Sequence, residues 1–133
     1  MLKGFLLLAC LSLLVANSHA GIDRMQDHLA LLLPGQSPNA QAARQFAKTE
    51  ILRLITELAE EKVGKTTLQK SAKVLQRRVI STYLKQHDGL ATFGALIKKE
   101  HYNQASASAL YALLAEAFDI DYRIEHKLWA ISI

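Results

Sequence analysis

Two consecutive stretches between residues 39 and 86 carry apolar side chains three and four positions apart, a spacing that only helices can bury on one side. In the first, Ala47, Ile51, Leu54, Ile55 and Leu58 share a stripe that the stem of Lys62 extends, while Glu57, Glu60 and Glu61 take the other face. Asn39 reads as its cap, Val63 as its approximate end and Gly64 as the residue just past the last turn. In the second, Leu68, Ala72, Leu75, Val79 and Tyr83 form the stripe. Thr66 or Thr67 caps it, and Gln86-His87-Asp88-Gly89 stops it.

The flanks add shorter elements. A helix is predicted over His28 to Leu33, stopped by Pro34-Gly35 and followed by a turn at Ser37-Pro38-Asn39. Phe93, Leu96 and Ile97 lie on a short helix or connector, turned toward a longer helix from about Gln104 to Phe118. That helix is lined with Ala105, Ala107, Ser108, Ala109, Ala112 and Ala115, so neighbours can approach it closely from several sides. Ile120, Tyr122 and Ile124 then alternate with charged residues, as in a half-buried strand. Trp129, Ile131 and Ile133 alternate in the opposite parity, which a turn or bulge near His126-Lys127 reconciles. The expected class is α+β: helix-dominated, with about three main helices and a small C-terminal β element.

The first twenty residues, "MLKGFLLLACLSLLVANSHA", have the layout of a secretory signal peptide. Lys3 precedes an apolar run from Phe5 to Val15, and Ser18-His19-Ala20 supplies small residues at the cleavage positions. The run is too short to span a bilayer. The expected organisation is a signal peptide at 1–20 and a single domain at 21–133, exported to the periplasm or beyond. Leu7-Leu8-Ala9-Cys10 also has the order of a lipoprotein box. Only three residues separate Lys3 from Leu7, so Cys10 reads as part of the apolar run, and a lipid anchor there is the minor alternative.

Cleavage after Ala20 removes the only cysteine and lowers the formal charge from +4 to +3, because Lys3 is the one charged residue lost. The remainder has no disulfide to lean on and must rest on an apolar core, which its length permits. Its charges are mixed in sign and no basic cluster is interleaved with aromatics, so neither nucleic acid nor, after cleavage, a membrane is an expected partner. No metal or cofactor is expected. His28, His87, His101 and His126 form no His-x-x-x-His pair and no carboxylate cluster of ligand spacing. Gly64-Lys65-Thr66 lacks the upstream glycine of a phosphate loop, and Asp119 and Asp121 read as solvated turn residues.

The stretch "YLKQHDGLATFGALIKKEHYNQASASALYALLAEAFDIDYRI" resembles bacterial members of the transglutaminase-like superfamily, which have the papain-type cysteine-protease fold. Tyr102-Asn103, the run Ala109-Leu110-Tyr111-Ala112-Leu113-Leu114, Phe93, Leu96, and Ile120, Tyr122 and Ile124 carry the resemblance, which covers Leu75 to Ile124. It implies a nucleophilic cysteine at a helix start, where the macrodipole favours the thiolate, and a histidine on the next strand to take its proton. Gln104 stands at the cysteine's place, and an amide is neither nucleophile nor base. His126 comes earlier than the family's histidine, and the third member of a triad would fall beyond Ile133. Ser106 and Ser108 read as capping or close-packing residues, since a serine nucleophile needs a positioned base. His101 reads as a solvated or capping loop residue.

Gln104, Ser106, His101 and His126 are thus the members of a degenerate site, and enzymatic activity is not expected. The resemblance implies an exported, catalytically inactive transglutaminase-like core that binds a protein partner, or a second copy through its C-terminal edge strand. Two alternatives stand beside it: an unrelated small periplasmic helical binding protein, and a truncated remnant of a transglutaminase-like cysteine hydrolase.

Overall fold

The computed structural model describes residues 24–125 and 130–132; the expected signal peptide, the Cys10 anchor and His126 lie outside them. Five helices occupy the described residues: α1 over 24–32, α2 Pro38–Glu60, α3 Leu68–Tyr83, α4 Phe93–Ile97 and α5 Gln104–Ala117. Two three-residue strands follow, β1 Arg123–Glu125 and β2 Ala130–Ser132, antiparallel with Ile124 opposite Ile131.

The α+β expectation is corrected: the fold is α-helical. Among the described residues the two three-residue strands pair only with each other, too little for a sheet layer, so they do not form the expected C-terminal β element of the core. The reason lies in Ile120 and Tyr122, read in sequence as strand residues. Ile120 belongs to the end of α5, where its N–H donates to the Ala115 carbonyl at 2.8 Å. The Tyr122 hydroxyl reaches back to Glu116 on the same helix. Alternation of apolar residues arose here from a helix stop and an anchored loop.

Helix starts follow side-chain chemistry. Ser37 caps α2, its Oγ accepting from the Ala40 N–H at 3.1 Å, with Pro38 in the first turn where its missing N–H costs nothing. The helix therefore begins before Asn39, the expected cap. Thr67 caps α3 and Thr92 caps α4.

Helix ends repeat one device. After α2, α4 and α5, the residues Lys62, Lys99 and Asp119 take positive φ (67°, 62° and 55°). In each case the N–H of that residue and of the next bond back to the last turn, as Lys62 to Ala59 and Val63 to Leu58 do. Lys62, not Gly64, thus ends α2, and it is exposed rather than extending the apolar stripe. Gly64 has a different task. Its φ is 84°, and a Cβ there would meet the Phe118 ring at 3.3 Å.

The core joins Ala47, Ile51, Leu54 and Leu58 of α2 to Leu75, Val79 and Tyr83 of α3, and to Leu110, Leu113 and Leu114 of α5. Met25 and Leu29 of α1 and Phe93, Leu96 and Ile97 of α4 close it. The α3 stripe starts differently from expectation. Leu68 is exposed and Ser71 is buried, its hydroxyl accepting the Gly64 N–H at 3.1 Å. α5 contacts α2, α3 and α4, the central position that its small residues allow.

Candidate functional site

The start of α5 is fixed by a closed set of hydrogen bonds. Asn103 is the cap: its Oδ1 accepts from the Ser106 N–H at 2.8 Å, and the Ser106 Oγ accepts from the Asn103 N–H at 3.0 Å. The Ser106 hydroxyl also lies 3.0 Å from the Asn103 carbonyl, to which it donates. Ser106 is buried, so both its hydrogen and its lone pairs serve the cap. The Asn103 amide donates outward to the carbonyls of Gly89 (3.2 Å) and Ala91 (2.9 Å). A parallel bridge between His87 and Tyr102 adds bonds from Asp88 N–H to the Tyr102 carbonyl and from Tyr102 N–H to the Gln86 carbonyl. The His87 and Tyr102 rings meet edge to face at 5.5 Å.

Turn 88–91 is therefore pinned from two sides. Within it, Asp88 Oδ1 accepts the Leu90 N–H at 3.0 Å, and the Ala91 N–H donates to the Asp88 carbonyl. The turn holds out Leu90, which is 91% exposed, the most exposed of the large apolar side chains among the described residues. The residues themselves mark a helix stop here but not the exposed leucine. Its sole signal was the Asp88-Gly89 pair, which marks a turn but not what the turn presents.

The sequence-predicted residues divide as follows. Gln104 is the first residue of α5 and half-buried, with no side-chain hydrogen bond among the described residues. Ser106 is a capping residue. His101 lies just before the bridge, with its Nδ1 buried and without a hydrogen bond among the described residues. His126 is outside the described residues. Among those residues, no histidine bonds to Ser106, and no three His, Cys, Asp or Glu side chains are grouped to hold a metal ion.

No protein-family model, no curated protein and no solved structure matches the chain.

Two polar clusters lie away from α5's start. Glu50 on α2 accepts from Arg53 Nη2 (2.5 Å), from the Tyr83 hydroxyl (3.0 Å) and from Lys99 Nζ (3.3 Å). Arg53 also bonds Glu57, which bonds Arg78 of α3, which bonds Glu61. Charges alternate along this ladder from α4's end to α3. Burial raises the Glu50 carboxyl, but hydrogen bonds from Arg53, Tyr83 and Lys99 outweigh it and hold it below the ordinary value. Burial, with Glu50's charge and hydrogen bond added, pushes the Tyr83 phenol far up. Burial alone pushes Tyr111 up to about 12. In the second cluster, Glu116 of α5 accepts from the Tyr122 hydroxyl at 2.9 Å and stands 3.4 Å from His28 Nδ1 of α1.

Proposed function

We propose that this chain is an exported protein that binds a protein partner without covalent chemistry, and that the 88–91 turn beside α5's start makes the contact. The observation that carries the reading is Leu90. A large apolar side chain fully in water, on a backbone held by Asn103 and Asp88, is already ordered for insertion into a partner's pocket. The neighbouring residues favour binding over catalysis: an amide occupies position 104, and the Ser106 hydroxyl is committed to the cap. The apolar leader at 1–20 supports export.

A photo-crosslinking residue at position 90, introduced in the cell that makes the protein, tests this. The expected result is a discrete heavier adduct, suppressed by excess unlabelled wild-type chain and missing when the probe replaces exposed Arg77 on α3. No adduct, or equal adducts at 90 and 77, contradicts the reading. An adduct of twice the chain's mass identifies the partner as a second copy.

A further inference from the structure

A cleft of about 320 Å³ opens between α1 and the first half of α2. Leu29 and Ala30 give it an apolar side, and Gln41, Arg44, Gln45 and Lys48 line the other. Arg44 and Lys48 stand one turn apart, both half-buried, an arrangement in which like charges repel. Among the described residues no carboxylate lines the cleft, and no acidic side chain pairs with either cation. Arg78, the other half-buried arginine of the described helices, has two carboxylates.

Arg44 is also held in place. Its Nη1 donates to the carbonyls of Leu33 (2.7 Å) and Gly35 (2.8 Å), which fixes the guanidinium against the α1–α2 turn without neutralising it. The other guanidinium nitrogens make no hydrogen bond among the described residues. A prepositioned fork of this kind loses little freedom on taking a planar carboxylate. The cleft lies at the small end of ligand-pocket sizes, roughly 300–1,000 Å³, with apolar surface beside the cations.

We propose that this cleft binds a small carboxylate carrying a short aliphatic tail, the carboxylate between Arg44 and Lys48 and the tail along Leu29 and Ala30. The inference does not depend on the partner contact at Leu90, which lies on a different segment.

Titration of the full chain with octanoate, followed by amide nuclear magnetic resonance, tests it, with acetate and octanol as probes lacking tail or charge. The expected result is saturable shifts confined to residues 26–48, with acetate and octanol each about tenfold weaker or more. Lys48→Gln, at a side chain that makes no hydrogen bond among the described residues, is expected to weaken octanoate about fivefold or more while the helical circular dichroism stays unchanged. Ala30→Glu places a competing carboxylate in the cleft and is expected to abolish binding. Octanol binding as well as octanoate, shifts only outside 26–48, or wild-type affinity in both variants overturns the proposal.

Discussion

The two halves of α2 treat charge in opposite ways. From Glu50 onward runs a ladder of opposite charges: Lys99, Glu50, Arg53, Glu57, Arg78 and Glu61 alternate across three parts of the fold, with exposed Glu60 outside it. One turn earlier, Arg44 and Lys48 sit half-buried with no carboxylate among the described residues. The paired half joins α2 to α3 and to the end of α4. The unpaired half borders an open cleft. Arg44 holds the Leu33 and Gly35 carbonyls, but packing does not account for a second cation one turn on, since a neutral glutamine at position 48 would fill the same wall at no electrostatic cost. The difference separates charges paired within the fold from the Arg44 and Lys48 charges, which no carboxylate among the described residues offsets.

The largest effect is expected where the pairing is densest. Glu50→Ala removes the one acceptor shared by the buried Tyr83 hydroxyl, Arg53 and Lys99, and is expected to cost about 2 kcal/mol in urea unfolding. An unchanged midpoint would mean that the ladder is a surface feature and would blur the contrast. Next comes pH. Glu50 is held below its ordinary value in the folded state, so its contribution is fully present above the unfolded value of about 4.3 and is lost as pH falls through the folded one. Stability should therefore decline on acidification below about pH 4.3, and Glu50→Gln should decline less steeply while starting from a less stable state. Parallel acid limbs would contradict this. The smallest effect belongs to the open half. Lys48→Glu converts a repulsive pair with Arg44 into an attractive one and is expected to stabilise the helix by about 0.3 kcal/mol in the absence of ligand. Destabilisation would show that Lys48 already has a partner.

Much of the helical layout is legible in the residues, because Ala47, Ile51, Leu54 and Leu58, or Leu75, Val79 and Tyr83, recur at a period that only a helix places on one side. The Gln104 start of α5 is likewise legible from Tyr102-Asn103 and the small residues after it. The C-terminal region is not. Ile120 and Tyr122 alternate like a strand, yet one terminates α5 and the other anchors to Glu116, and both roles depend on contacts that spacing does not encode. Lys62, Lys99 and Asp119 end their helices in the left-handed conformation without glycine. After α2 and α5, burial of the following Val63 and Ile120 helps to hold that backbone in place. The cleft was illegible for a related reason. Arg44 and Lys48 look like any exposed pair until the fold shows that nothing acidic among the described residues reaches them.

The most direct test of this contrast is the thermal unfolding of wild type and Lys48→Glu in rising octanoate. A ligand bound only by the folded chain adds about 2.7 kcal/mol when its concentration is a hundred times its dissociation constant. The account predicts a rising Tm for wild type and a flat one for Lys48→Glu. Equal rises in both, or none in wild type, would contradict it.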